Sequence, residues 1–203
     1  MSSSGKRPLL IVISAPSGGG KSTLCQRLLA ERPDISYSIS CTTRAPRGNE
    51  INGKDYHFMT EVKFDRRVTN GEFLEHAVVH DHKYGTLRKP VADALGAGKS
   101  VVMVIDVAGA GQIREHVNRA PGEDLLKKAF VDIFVEPPSM DVLRERLTGR
   151  ATDDEETMQR RLENAEDEMA HRDEYRYRII NDDLDTAFTR LKEIIEAEES
   201  KPN

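Results

Sequence analysis

Two cysteines, Cys25 and Cys41, are all that 203 residues contain. That is too few for a disulfide framework, and Cys25, inside a helical pattern, reads as a small buried hydrophobe. No apolar run approaches the length of a membrane span, which argues against a membrane partner. Long basic runs are also missing, and the formal net charge is −5. Bulk nucleic-acid binding is therefore not expected. The acidic excess gathers at 153–156, 163–168 and 193–199. Internal repeats and low-complexity segments are absent. The one apolar stretch near the start, Leu9-Leu-Ile-Val-Ile13, is too short for a signal-peptide core and leads straight into a glycine-rich turn. Length alone suits one ordinary domain with a subsidiary lobe.

What is present begins with that apolar run, which reads as a strand buried on both faces, as in a parallel sheet. The turn after it is Ala15, Pro16, Ser17, Gly18, Gly19 and Gly20, followed by Lys21, Ser22 and Thr23. A helical pattern then runs over Leu24-Cys-Gln-Arg-Leu-Leu-Ala30. Glycines let backbone N–H groups converge on one point, and the helix that follows adds its N-terminal partial positive charge. The arrangement holds a polyphosphate. Lys21 is placed to reach the outer phosphates and the Ser22 hydroxyl to meet Mg²⁺, close to the phosphate-loop signature G-x-x-x-x-G-K-[ST]. Ala15 stands where that signature has its first Gly.

Further along, the alternation in Ile35-Ser-Tyr-Ser-Ile-Ser40 predicts a half-buried strand. Residues 41–55 read as a structured polar loop. Short strands are expected at 56–59 and 73–79, with a helix at 61–69 between them. Thr86 is the expected N-cap of a helix over 87–95. Val101-Val-Met-Val-Ile105 is a second continuous apolar strand ending at Asp106, and Phe130-Val-Asp-Ile-Phe-Val135 a third. Helices are expected at 109–118, 142–147 behind Ser139, up to about 171, and at 184–197, with a last strand at 178–181. Residues 121–128 read as a solvated excursion. The sum is an α/β fold, a mostly parallel sheet with right-handed crossovers and helices on both faces. Residues 1–39, 87–147 and 172–203 are expected to form the core, with a loop-rich lobe at 40–86 and an arginine-rich lid at 148–171.

A phosphate loop specifies a nucleoside triphosphate, not its fate. The arginines go further. If the acceptor is itself a phosphate, two unit charges 4 Å apart repel by about 4 kcal/mol at an effective dielectric of 20. Arginines offset that repulsion, and their forked donors match phosphate oxygens. Arg44 and Arg47 sit in a Pro/Gly loop, a poor place for mere solvated charge, whereas Arg114 and Arg119 read as helix faces. An ionised acceptor oxygen needs no general base. Reduced thiols beside a nucleotide loop point to the cytoplasm.

Several further stretches resemble one family: Ser38-Ile-Ser-Cys-Thr-Thr-Arg-Ala-Pro-Arg47, Gly53-Lys-Asp-Tyr-His-Phe58, Gly71-Glu-Phe-Leu-Glu-His-Ala77, Tyr84-Gly-Thr86, Ile105-Asp-Val-Ala-Gly109, Arg146-Leu-Thr-Gly-Arg150 and Ile180-Asn-Asp-Asp-Leu-Asp-Thr-Ala187. In this order they resemble guanylate kinases, P-loop nucleoside monophosphate kinases. The resemblance implies ATP + GMP ⇌ ADP + GDP with Mg²⁺. It implies that Arg44, Arg47, Tyr56 and Tyr84 hold the GMP phosphate, with Glu50 in the same block. Ser40, Glu75, Thr86 and Asp106 would face guanine, whose pairing edge offers adjacent N–H donors to one carboxylate. Arg150 and Arg161 match arginines that close on the transferring phosphoryl, joining Lys21 and Arg44 in the chemistry. Asn181 matches a position near the adenine.

The chain departs from the family pattern in places. Gly48 comes one residue early before Glu50, and His80-Asp-His-Lys-Tyr84 replaces a Gly-Asn pair. Val104 stands where an acidic residue commonly precedes Asp106 by two. Ala108 replaces a common Gln, and Ala151 follows the lid arginine in place of Gly. The imidazoles of His80 and His82 read as surface residues rather than a metal pair. Two other readings stay open at this point: a non-catalytic phosphopeptide-binding module of the guanylate-kinase-like type, and a kinase acting on a sugar phosphate. Intact Lys21 and Ser22 weigh against the first, and the 42–47 block with Glu75 and Thr86 against the second.

Overall fold

Every residue of β1 (Leu10–Ser14) is buried. Its side chains alternate between two apolar layers. Leu9, Ile11 and Ile13 face one layer, and Leu10 and Val12 the other. A strand covered on both faces is the centre of a parallel sheet, and each such aliphatic side chain contributes about 1.5–3 kcal/mol on burial. The computed structural model describes residues 6–79, 81–148 and 155–202, with backbone alone for residues 155 and 156.

The chain continues through α1 (Lys21–Glu31), β2 (Ser36–Tyr37), β3 (Cys41–Thr42), β4 (His57–Phe58), α2 (Glu61–Thr69), β5 (Phe73–Val79), β6 (His82–Leu87) and α3 (Arg88–Gly96). It goes on with β7 (Val101–Val104), α4 (Val107–Arg119), α5 (Leu125–Ala129), β8 (Phe130–Glu136), α6 (Met140–Thr148), α7 (Glu155–Ala170), β9 (Tyr177–Ile180) and α8 (Leu184–Glu199). One sheet has five strands, β2-β7-β1-β8-β9, and all its pairings are parallel. α1 and α8 cover one face through Leu24, Leu28, Phe188, Leu191 and Ile195. Val91, Leu95, Ile113, Val117 and Leu126 of α3, α4 and α5 cover the other. A second sheet, β4-β3-β6-β5, is built from residues 41–87 and is mixed. α7 packs on α6 through Leu143, Leu147, Leu162 and Ala165.

Most expected elements lie within two residues of their observed bounds. Four differ. The alternation at 35–40 yields only β2, because Ser38 onward leaves the main sheet for the second one. The polar loop 41–55 begins with β3, whose Cys41 and Thr42 are fully buried against β4 and β6. Thr86 is not a helix cap. It lies in β6 opposite Glu75 of β5, and α3 starts after Leu87 with no side-chain cap. The excursion at 121–128 contains most of α5, capped by Asp124 and buried through Leu126 and Ala129. A single capping carboxylate and two apolar residues are too short a pattern for periodicity to register.

The N-terminal segment is tied to the far end of α8. Glu198 is fully buried and accepts from Arg7 at 2.9 Å, Lys201 at 2.6 Å and the Tyr177 hydroxyl, with Arg176 at 3.2 Å. Burial pushes its carboxyl up, but the Lys201 and Tyr177 donors and the Arg176 charge outweigh that and hold it below the usual carboxylate range. Glu198→Ala would leave these donors facing an apolar methyl, a cost of about 2–3 kcal/mol. The melting temperature is expected to fall by about 4–12 °C. A thermal melt unchanged from the parent would show that the network contributes nothing.

Candidate active site

The turn between β1 and α1 has the geometry its glycines allow. Gly18 and Gly20 adopt φ of 84° and 94°. Gly20 is the N-cap of α1 and offers no side chain to its first turn. That leaves the first-turn N–H groups of α1 without a side-chain cap and directed into the cleft, where an anion satisfies them. A Cβ on Gly20 would lie 2.2 Å from Asn181 Nδ2. Asn181 is buried, and its amide donates to Gly19 O at 2.9 Å while its own N–H donates to Glu136 O at 2.7 Å. Asn181 therefore braces the loop backbone. Lys21 Nζ folds back onto Ala15 O at 3.0 Å. Pro16 is buried, while Ser22 and Thr23 are exposed at the helix start.

Across the cleft, β3 and its following loop hold Arg44, only 7% exposed. Its two terminal nitrogens donate to Glu50 Oε1 and Oε2, each at 2.9 Å, and its Nε to the Tyr84 hydroxyl at 3.2 Å. The guanidinium lies 5.3 Å from the centre of the Tyr56 ring. Glu50 also accepts from the Arg47 N–H at 2.7 Å. The Arg44 bond and then the Arg47 amide hold its carboxyl down at about 2. Glu50 thus orients Arg44, and the Arg47 side chain is exposed.

A cavity of about 280 Å³ beside this cluster is lined by Ser40, Tyr56, Glu75, Tyr84, Val104 and Asp106. Glu75 and Thr86 are cross-strand partners, both buried. Burial pushes the Glu75 carboxyl up to about 6, with the Asp106 charge adding to it and Thr86 drawing it partly back. Asp106 caps α4 by accepting from Gly109 N at 2.7 Å. A Cβ on Gly109 would come within 3.1 Å of Glu75 Oε2, so the missing side chain there makes room for the carboxylate.

A family model described as guanylate kinase matches residues 7–198. The guanylate kinase of Paramagnetospirillum magneticum is 43% identical over 196 residues, 97% of this chain and 87% of that protein. That of Carboxydothermus hydrogenoformans is 42% identical over 194 residues, 96% and 90% of the two chains. The crystal structure of guanylate kinase from Anaplasma phagocytophilum superposes with a TM-score of 0.73 at 35% identity, covering 97% of this chain and 88% of that one.

The chain belongs to the guanylate kinase family. Its fold is accordingly that of the P-loop nucleoside monophosphate kinases, phosphotransferases that use ATP.

Among the family's expected site residues, Arg150 lies outside the described residues, as do His80 and Ala151. Arg161 lies on α7. Val104, in place of the family's common acid, presents an apolar surface to the cavity by Glu75 and to a neighbouring one of about 370 Å³ that reaches Ser22, Glu50 and Tyr56. Among the described residues no group of three or more acidic, His or Cys side chains could cage a metal. One hydroxyl at Ser22 beside a polyphosphate site nevertheless suits Mg²⁺, which keeps its waters and is held by one or two protein groups plus phosphate oxygens. Glu168 of α7 was not legible from sequence. Its Oε2 accepts from Ser17 N at 3.2 Å, inside the phosphate loop. No local signature marked it, because α7 carries Glu155, Glu156, Glu163, Glu166 and Asp167 as well.

Gly20→Ala forces a side chain into the left-handed region, a backbone cost of about 1–2 kcal/mol, and expels the Asn181 amide. The KM for ATP is expected to rise about tenfold with that for GMP nearly unchanged. A variant matching the parent in steady-state ATP kinetics would show that the loop does not require this backbone.

Proposed function

We propose that this chain catalyses ATP + GMP ⇌ ADP + GDP through the residues described above, in a reducing cytoplasm compatible with its two buried thiols. The observation that carries this is the pair of sites facing one cleft: a glycine loop for phosphates, and a small cavity with a buried carboxylate, Glu75. ATP binds with its phosphates on the loop of Ala15, Pro16, Ser17, Gly18, Gly19 and Gly20 and the first turn of α1, and Lys21 meets the outer phosphates. Ser22 would hold the Mg²⁺ that accompanies ATP, which when bound would supply charge neutralisation at the phosphates. Asn181 fixes the loop from the adenine side. GMP enters the lobe at 40–86. Arg44, pre-aimed by Glu50, receives the phosphate together with Arg47, Tyr56 and Tyr84. Glu75, Thr86, Ser40 and Asp106 read guanine.

The chemistry asks little covalent work of the protein. The GMP oxygen is already ionised, so the side chains position the two anions and neutralise charge as the phosphoryl crosses. Lys21, Arg44, Arg150 and Arg161 supply that charge, the last two from the lid at 148–171. Guanine N1–H and the exocyclic amine donate together to Glu75. Adenine has no such pair and would leave a buried carboxylate unsatisfied, a mismatch that sites of this kind reject by roughly 10⁴ or more.

Turnover with GMP, dGMP, AMP and ribose phosphates as acceptors tests the assignment, and failure to form GDP from bound ATP and GMP would refute it. Glu75→Gln should lower kcat/KM for GMP far more than it affects ATP. Because Glu75 must be ionised to accept both protons, the parent's kcat/KM for GMP should fall as pH drops through about 6. The GMP phosphate titrates in the same range, so the parent profile is read against that of Glu75→Gln. Superimposable profiles, or an unchanged GMP/AMP preference, would remove Glu75 from base recognition.

A further inference from the structure

The phosphate loop is held by an acceptor that its signature does not contain. Ser17 N–H donates to Glu168 Oε2 at 3.2 Å across 151 residues of chain. The groups facing this carboxylate come from the loop, as Ser17 and Lys21, and from the start of α4, as Asp106. Burial pushes its carboxyl up and Asp106 adds to that, while Lys21 and the Ser17 amide pull it back. It therefore sits against the phosphate loop, near enough to Lys21 to feel its charge.

We infer that Glu168 is a positioning residue for phosphoryl transfer, fixing the start of the phosphate loop to α7 through the Ser17 amide. Three consecutive glycines follow Ser17, and glycine backbone is the costliest to order. Gly19 N–H is tied to Pro16 O at 2.8 Å and Gly19 O to Asn181 at 2.9 Å. Ser17 is the point where the loop's other end is gripped. The same bond sets the register of α7 against the loop. Arg161 precedes Glu168 by two helical turns on one face, about 10 Å along the axis. Anchoring Glu168 therefore also fixes the axial position of Arg161 on α7. The inference rests on the 15–23 loop being the ATP phosphate site.

Two variants test it, assayed by steady-state kinetics with ATP and GMP alongside thermal melts. Glu168→Ala is expected to lower kcat by about tenfold or more through loop misplacement. KM for GMP should stay within about twofold and the melting temperature within about 3 °C. Glu168→Gln keeps a side-chain oxygen for the Ser17 N–H and should restore kcat to within about threefold of the parent. The inference is overturned if Glu168→Ala keeps parental kcat, or if Glu168→Gln is as impaired as Glu168→Ala, which would make the charge and not the bond decisive. A large fall in melting temperature with KM for GMP rising in step would overturn it too, as the mark of a general structural role. A parent unable to turn over ATP and GMP is a different failure, that of the functional assignment, and is read before either variant.

Discussion

The left-handed backbone at Gly20 is the constraint on which the rest depends. With φ of 94° there, α1 begins at Lys21 with no side-chain cap on its first turn, which leaves those amides for an anion. The conformation is held from a distance. Asn181 follows β9 at the edge of the main sheet, and the β8–β9 register pairs Glu136 with Ile180. That register brings the Asn181 carboxamide onto Gly19 O. Sheet pairing, one buried amide and three glycines thus form a single mechanical unit. The apolar burial of β1, β8 and β9 stabilises the geometry of this loop as directly as it stabilises the fold.

The Arg44 cluster, the proposed GMP-phosphate site, follows a different logic. A guanidinium that is 7% exposed must have partners before any substrate arrives, since an unpaired buried charge is costly. Glu50 and Tyr84 are those partners, and they leave Arg44 planar, oriented and stacked near Tyr56. A phosphate arriving there, as proposed, would meet an arginine that has already lost its rotamer freedom, so little entropy would be lost at binding. It must also share that arginine with Glu50, whose carboxyl is held near 2 and remains charged throughout the physiological range.

Long apolar runs made the main sheet readable. Residues 9–13, 101–105 and 130–135 each have nothing but a buried strand to be. The second sheet was harder, because β3, β4 and β6 are short and polar and exist through pairing with each other rather than through a pattern of their own. Thr86 shows the ambiguity: the same hydroxyl before a helical run fits a cap or a strand end, and only the partner Glu75 decides. Lys21, Ser22 and the glycines announced themselves by spacing. Glu50 pairs inside its own loop, with Arg44 and the Arg47 amide, whereas Asn181 and Glu168 act on protein groups far along the chain, and no local signature encodes such a bond.

Glu75 joins fold energetics to selectivity. Its carboxyl rises from an ordinary 4.5 to about 6 because burial penalises the charge. The cost of holding it ionised in the folded chain is therefore about 2 kcal/mol above pH 6, and it vanishes below about pH 4.5 where both states are protonated. At neutral pH the charged form still dominates by about ten to one, so the site waits as an under-satisfied acceptor. The missing Cβ at Gly109 and the amide end of α4 make room for that charge without neutralising it. Two adjacent N–H donors on one ligand edge relieve the penalty, whereas an edge lacking them leaves it in place. On the proposed assignment, the energy that burial takes from stability would be returned as discrimination between purines.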